Sequence, residues 1–245
     1  MKRLGIFGST GRMGKAIVSV TSTYKMIDLI SCFKRGDNIT NFINSSDFII
    51  DFSLNDGTIS LVKTLLKIKP VPLLIGTTSL SSDCLIAIDE LSTQAPVMHA
   101  PNVSIGANLM AYLTKKMAEV LGTGFDAEIL DIHHRKKRDA PSGTALMLSD
   151  FIAQGIGKKN ANIITDRSNN PIRKDGEISI SSIRAGSVAA EHIVSFYGES
   201  ETLSISHKVE NRDVFAHCAI NVALWLKEQK PGLYTMQDII KKHYM

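Results

Sequence analysis

The first hundred residues alternate short apolar runs with stretches whose apolar positions recur at helical spacing. The runs at 4–7, 27–33, 48–52 (FIIDF), 71–75 (VPLLI) and 97–100 are nearly continuous. Continuous runs are the pattern of strands covered on both faces in a parallel sheet. Between them, 58–67 places Ile59, Val62, Leu65 and Leu66 on one helical face, and 83–93 does so with Leu85, Ile86, Ile88 and Leu91. Ser53 and Ser82 stand where N-caps are expected. This alternation predicts βαβ units in an α/β domain.

The pattern changes near residue 101. A long helix is predicted over 105–121, ended by Gly122-Thr123-Gly124, then a strand over 125–132, a polar loop and a helix over 144–153. Three β-rich runs at 178–184, 191–197 and 201–207 follow closely, a spacing that suits an antiparallel or mixed sheet. Residues 158–176 read as a long loop. Residues 215–226 read as a strongly apolar helix holding Trp225, the only tryptophan. Two domains are expected, with a boundary at 101–105.

Composition narrows the class. Of 245 residues, 44% are hydrophobic and 21% charged, and 28 Lys plus Arg against 24 Asp plus Glu give +4. That excess, without interleaved aromatics, argues against a nucleic-acid partner. No apolar run reaches the ~18 residues of a spanning helix, and the start, MKRLGIFGST, does not read as a signal peptide. Cys32, Cys84 and Cys218 are widely spaced in apolar surroundings and are expected to be buried free thiols. A cytoplasmic protein with no membrane partner is expected.

The first segment with chemistry is Gly8-Ser9-Thr10-Gly11-Arg12-Met13-Gly14, between the run at 4–7 and the helix start at 15–18. Glycines in a strand–turn–helix setting allow a tight turn and close approach to a pyrophosphate, which the helix N-terminus favours. Gly14 would let the helix pack against the strand. The spacing is G-x-x-G-x-x-G. After the second run, where an acid often holds the ribose 2′-hydroxyl, stand Lys34 and Arg35. A basic pair there can meet a 2′-phosphate, favouring NADPH, or can be a solvated turn.

The second segment runs from Glu128 through His133, His134, four basic residues and Asp139 to Ala140-Pro141-Ser142-Gly143-Thr144. Two histidines close to Lys137, followed by a helix start, make a cationic site suited to a small carboxylate substrate. Histidine can exchange a proton near neutral pH, and a lysine among cations can act as an acid. A solvated basic loop is the alternative. Adjacent strand residues point to opposite faces, so His133 and His134 do not share an ion, and no cluster completes a shell; no metal is expected.

Together these segments resemble the 4-hydroxy-tetrahydrodipicolinate reductase (dihydrodipicolinate reductase) family. The resemblance rests on GSTGRMG at 8–14, DFS at 51–53, GTT at 76–78 and APNVSIGANLM at 100–110. It continues with HHRKKRDAPSGTA at 133–145, RAG at 184–186, EHIVSF at 191–196 and FAHCAINVALWL at 215–226. It implies a Rossmann-like dinucleotide-binding domain at 1–104 with a tail, 214–245, returning to it. It also implies a smaller α+β domain at 105–213 for substrate binding and oligomerisation, a homotetramer, and a hinge between the two.

The resemblance further implies NADPH or NADH bound by Gly8, Ser9, Thr10, Gly11, Arg12 and Met13, with Lys34 and Arg35 at the adenosine end. Gly76, Thr77, Thr78, Ala100, Pro101, Asn102 and Val103 would lie by the nicotinamide. His133 would be the general acid/base and Lys137 the proton donor, while His134, Gly143 and Thr144 bind a small dicarboxylate. The chain departs from the family at Lys34, where an acid is common, in the short segment between Arg35 and Phe48, and at Ala190, His217 and Cys218. His99, His192, His207 and His217 are expected to be structural.

Overall fold

The computed structural model describes residues 2–168 and 172–244. The chain divides into two compact units, Met1–Ile105 with Asp213–Met245, and Gly106–Arg212. The first unit opens with β1 (Arg3–Phe7), α1 (Arg12–Thr21), β2 (Leu29–Phe33), α2 (Ile39–Asn44) and β3 (Phe48–Asp51). It continues with α3 (Asn55–Ile68), β4 (Leu73–Ile75), α4 (Ser82–Ser92) and β5 (Pro96–His99). All strand pairings among these are parallel.

The second unit contains most of α5 (Ile105–Leu121), a 3₁₀ turn at Gly122–Gly124, β6 (Asp126–His133) and α6 (Gly143–Gly155). Then come β7 (Asn162–Ile164), β8 (Glu177–Arg184), β9 (Ala190–Tyr197) and β10 (Thr202–Val209). The sheet runs β10-β9-β6-β8-β7, mixed, with β6, β8 and β7 parallel and β9 antiparallel to β6 and β10. Met110, Ala118, Leu148 and Ile152 of α5 and α6 cover one face through Ile129, Ile180, Val194 and Phe196. On the other face the alternate residues Leu130, Ile183 and Tyr197 are exposed.

The tail then supplies α7 (Asp213–Leu226), β11 (Gly232–Tyr234) and α8 (Met236–Tyr244). Strand β11 pairs parallel with β5, completing a six-stranded sheet ordered β11-β5-β4-β3-β1-β2. Successive strand residues point to opposite faces, so each strand feeds two cores. Leu4, Ile6, Phe48, Ile50 and Leu74 pack with α1, α7 and α8, whereas Phe7, Ile49, Leu73 and Ile75 pack with α2, α3 and α4. This is why the runs are continuously apolar. Each fully buried Leu, Ile or Phe contributes about 1.5–3 kcal/mol to that sandwich. The architecture is a Rossmann-like α/β unit with a smaller α+β unit.

The sequence expectations differ from the structure in small, physical ways. The cap of α3 falls at Leu54 with no side-chain bond, and Ser81, not Ser82, caps α4 by accepting from the Cys84 N–H. The stretch 158–176 is interrupted by β7, which pairs with β8; residues 169–171 lie outside the described residues. Cys32 lies on the edge strand β2 and is exposed, while Cys84 and Cys218 are buried; all three are free thiols. Among the described residues no helix is long and apolar enough to cross a membrane.

Candidate functional site

The first unit carries a cleft where the strand order reverses, as β2 and β3 flank β1 on opposite sides. Its volume is about 640 Å³, and its walls come from the carboxyl ends of β1, β2 and β3 and the start of α3. Gly8 adopts φ +80°, and the Gly11 N–H donates to its carbonyl at 3.1 Å, closing the turn. A Cβ on Gly14 would stand 2.3 Å from the Gly8 oxygen, so only glycine lets α1 begin this close to β1. Gly11 caps α1 with no side-chain bond, leaving the positive end of the helix without an internal anion. A glycine cradle before such a helix start fits the pyrophosphate of a dinucleotide.

The predicted cofactor residues separate within this unit. Gly8, Thr10, Gly11 and Arg35 line the cleft. Ser9 is buried and spends its hydroxyl on the Phe33 carbonyl at 2.8 Å, tying the loop to β2. Arg12 is exposed, Met13 half-buried, and neither lines the cleft. Lys34 is exposed outside it too; its N–H donates to Asp37 Oδ2 at 2.7 Å, while Arg35 and Asp37 both line the cleft.

Gly76, Thr77 and Thr78 follow β4, and Ala100, Pro101, Asn102 and Val103 follow β5. Ala100 and Val103 bury their side chains in the core. Thr77 is buried, its hydroxyl 3.4 Å from Asp51 Oδ2, and His99 Nε2 lies 3.0 Å from its carbonyl oxygen. Asp51 also accepts from the Thr58 hydroxyl and, at 2.8 Å, from the Ser53 N–H. Burial pushes its carboxyl up from the usual range, and these neutral donors only partly oppose that.

The second unit gathers a charged cluster at the end of β6. Alternation puts Asp131 and His133 on the same face, and the register opposes Asp131 to His192 on β9 and His133 to Arg184 on β8. His133 is buried, its Nδ1 2.9 Å from Asp131 Oδ1. The Arg184 guanidinium donates to Asp131 Oδ2 at 2.9 Å and to the Asp139 carbonyl at 2.8 Å, joining the strand to the basic loop. The Ser142 N–H donates to Asp131 Oδ2 at 2.8 Å, and its hydroxyl accepts from the Ala145 N–H as the N-cap of α6. Gly143 and Thr144 form the first turn of that helix.

His134 is half-buried, with Nδ1 accepting from the Lys136 N–H at 3.2 Å. Burial lowers its pKa, and Arg212, His133, Lys137 and Arg184 lower it further. Lys137 does not stand among cations alone, as the loop sequence suggests. It makes a two-pronged bond to Asp139, at 2.9 and 2.8 Å.

Sequence reasoning passed over Asp131, Arg184 and His192 as site residues. The signal available was the i, i+2 spacing of Asp131 and His133 on a strand; the pairing with His192 is a matter of register. His192 is buried, with Nε2 3.0 Å from Ser142 Oγ and 3.4 Å from Asp131 Oδ1, so it packs inside this cluster. His217 has a packing role, bonded to the Tyr24 hydroxyl at 3.0 Å. The sequence reading found no cluster that could complete a metal shell. The fold does bring Asp131, His133 and His192 together, with polar atoms within 4.8 Å of one another. Arg184 already supplies the positive charge on that carboxylate.

Two family profiles match the chain: "Dihydrodipicolinate reductase, N-terminus" over residues 2–103 and "Dihydrodipicolinate reductase, C-terminus" over 106–240. The 4-hydroxy-tetrahydrodipicolinate reductase of Rickettsia canadensis is 40% identical over 98% of this chain and 99% of its own length. That of Caldanaerobacter subterraneus subsp. tengcongensis is 37% identical over 99% of each. Among solved structures, a dipicolinate-bound dihydrodipicolinate reductase from Paenisporosarcina sp. TG-14 shares the fold. Its TM-score is 0.78 at 23% identity, covering 96% of this chain and 97% of that one. Diaminopimelate dehydrogenase of C. glutamicum shares it more loosely, at TM-score 0.56 and 11% identity. With both halves of the chain matched in order, and relatives of this identity spanning its full length, this protein belongs to the 4-hydroxy-tetrahydrodipicolinate reductase family.

Proposed function

We propose that the chain reduces 4-hydroxy-tetrahydrodipicolinate to tetrahydrodipicolinate with a nicotinamide dinucleotide, in diaminopimelate and lysine biosynthesis. The observation that carries the reading is the cluster at the end of β6. A buried histidine anchored on Asp131 is followed within four residues by Lys137, and the loop ends at a capped helix N-terminus. When bound, the dinucleotide supplies a hydride from C4 of its nicotinamide.

The residues of this chain supply the rest. The 4-hydroxyl leaves as water together with a proton eliminated from the neighbouring ring carbon, and the ring then gains a hydride and one proton, so each turnover consumes one net proton from the site or solvent. His133 is the general acid/base and Lys137 a proton donor. Lys137 must release Asp139 before its ammonium can serve the substrate. His134 and the first turn of α6, at Gly143 and Thr144, receive the two carboxylates. The same cations stabilise the anionic charge that develops on the ring.

In the first unit, the Gly8–Gly11 turn and the start of α1 take the pyrophosphate, and the segments after β4 and β5 flank the nicotinamide. The preference for NADPH rests on Arg35, whose guanidinium can meet a 2′-phosphate. The exposed face of the second unit's sheet, with Leu130, Ile183 and Tyr197, favours a homo-oligomer, and a tetramer is our reading of it. The test is a coupled assay in which dihydrodipicolinate synthase generates the labile substrate while loss of 340 nm absorbance is followed. Synthase-dependent oxidation, faster with NADPH than with NADH, is the expected result. Nucleotide binding without oxidation would overturn the reading and favour a dinucleotide sensor.

A further inference from the structure

Asp131 is fully buried, yet five polar groups converge on its carboxylate. Oδ1 lies 2.9 Å from His133 Nδ1 and 3.4 Å from His192 Nε2. Oδ2 accepts from Arg184 at 2.9 Å, the Ser142 N–H at 2.8 Å and the Ser182 hydroxyl at 3.1 Å. These groups come from β6, β8, β9 and the entry to α6, so one side chain ties together the elements that carry His133 and the first turn at Gly143 and Thr144.

We propose that Asp131 is a positioning residue: it holds His133 by a protonated Nδ1, so that Nε2 is the atom that exchanges the proton with substrate. An ionised carboxylate only accepts hydrogen bonds, so the nitrogen facing it must be the one bearing hydrogen. The alternative tautomer would set a lone pair against a buried anion. Burial alone would raise this carboxyl, but the bonds from His133, His192, Arg184 and Ser142 outweigh it and hold it far below the ordinary range. The carboxylate therefore stays charged through the cycle. The mobile proton leaves and returns at Nε2, the Nδ1 proton stays where it is, and Asp131 never takes it.

The charges around His133 fit this division. Arg184 faces it from β8 and His192 from β9, their rings 5.2 Å apart and edge-on in the latter case. Lys137 on the loop and Arg212 place positive charge beside the neighbouring His134. Arg184 balances Asp131, so a proton on His133 adds one positive charge for an anionic substrate. The same carboxylate, through the Ser142 N–H, fixes the start of α6, where Gly143 and Thr144 stand. The inference rests on the reading of His133 as the acid/base group.

Two measurements test it, and the first needs no turnover. In the unmodified protein labelled with ¹⁵N-histidine, His133 is assigned by its loss in His133→Gln. Its neutral ring is expected to carry hydrogen on Nδ1, and a ring protonated at Nε2 overturns the proposal. The second compares Asp131→Asn and Asp131→Glu with wild type in the synthase-coupled assay. Asp131→Asn is expected to lose about 10- to 100-fold in kcat, the range typical of an orienting partner, with a wild-type far-UV circular dichroism spectrum as a check on folding. An acid that loses its anionic partner gives up its proton more readily, so the alkaline limb of its kcat/KM–pH profile moves to lower pH. Asp131→Glu, which keeps the charge, is expected to keep the wild-type limb. A folded Asp131→Asn enzyme with an unmoved limb overturns the proposal. If wild type shows no turnover, the functional reading fails while the ¹⁵N result still decides this one.

Discussion

The two units each bury one aspartate completely at or near the carboxyl end of a strand, and the two carboxylates behave oppositely. Asp51, at the end of β3, meets only neutral donors: the Ser53 N–H and the hydroxyls of Thr58 and Thr77. Burial dominates and raises its carboxyl. Asp131, on β6, meets the same burial but also Arg184 and two histidines, and its carboxyl is held far below the usual range. Identity and exposure are equal; the charge of the donors sets the outcome. Asp51 organises a loop of fixed shape beside a nucleotide cradle, whereas Asp131 organises groups that carry charge and protons.

The largest expected contrast is in stability. Asp131→Asn leaves the half-buried Arg184 without its buried anionic partner and should cost about 3–5 kcal/mol, as loss of one partner of a buried pair does. Asp51→Asn removes no ion pair and should cost about 1–3 kcal/mol, the loss of buried hydrogen-bond acceptance. Urea unfolding of both variants measures the difference, and equal costs would erase the distinction. Acid sharpens it. Asp131 has a depressed folded pKa, so its stabilisation is complete above the unfolded value near ~4 and is lost as pH falls below that. Asp51 has a raised folded pKa, so acidification removes a penalty instead. Trp225 lies in the first unit alone. Far-UV circular dichroism is therefore expected to change at higher pH than Trp225 fluorescence does.

Smaller effects test each side separately. Gly14→Ala drives a methyl into the Gly8 carbonyl and should cost about 1–3 kcal/mol, as overpacking does, and weaken NADPH binding with dipicolinate binding retained. Fluorescence titration with each ligand checks this. Arg35→Gln should raise the KM for NADPH about tenfold, the loss of one charge-assisted contact, and leave that for NADH within about twofold. Lys34→Gln should change neither, since Lys34 does not line the cleft. The smallest effect is on pH. His134, with its pKa lowered by burial and neighbouring cations, is neutral at pH 7 and gains a proton only below its ordinary value near ~6.5. A dicarboxylate favours the protonated form, so calorimetry should show dipicolinate binding tightening as pH falls below 6, and loss of that trend in His134→Asn.

Much of this is legible in the sequence. Residues 48–52 read as a buried strand because both faces carry apolar side chains, and the strand spans Phe48–Asp51; α5 follows the apolar spacing over 105–121 up to the glycines beyond it. The glycine loop and the basic loop are both legible, because each concentrates unusual residue types between a strand and a helix start. Strand β11 was not found: three residues, Gly232–Tyr234, become a strand through pairing with β5, not through their own preference. Lys34 and Arg35 looked equivalent in sequence, yet the turn closed by Asp37 leaves only the arginine lining the cleft. The partnership of Asp131 with His192 joins residues sixty-one positions apart through antiparallel register, and no local pattern encodes that.

The central claim is that the charged cluster of the second unit supplies the proton for reduction. Its most direct test is kcat of His133→Gln and Lys137→Met in the synthase-coupled assay, with NADPH affinity measured alongside. Loss of a positioned proton carrier is expected to lower kcat about 10²- to 10⁴-fold in each variant, with NADPH affinity unchanged. A variant that keeps kcat within about threefold of wild type, a barrier change of roughly 0.65 kcal/mol, would show that its residue does not deliver the proton, and both doing so would contradict the account.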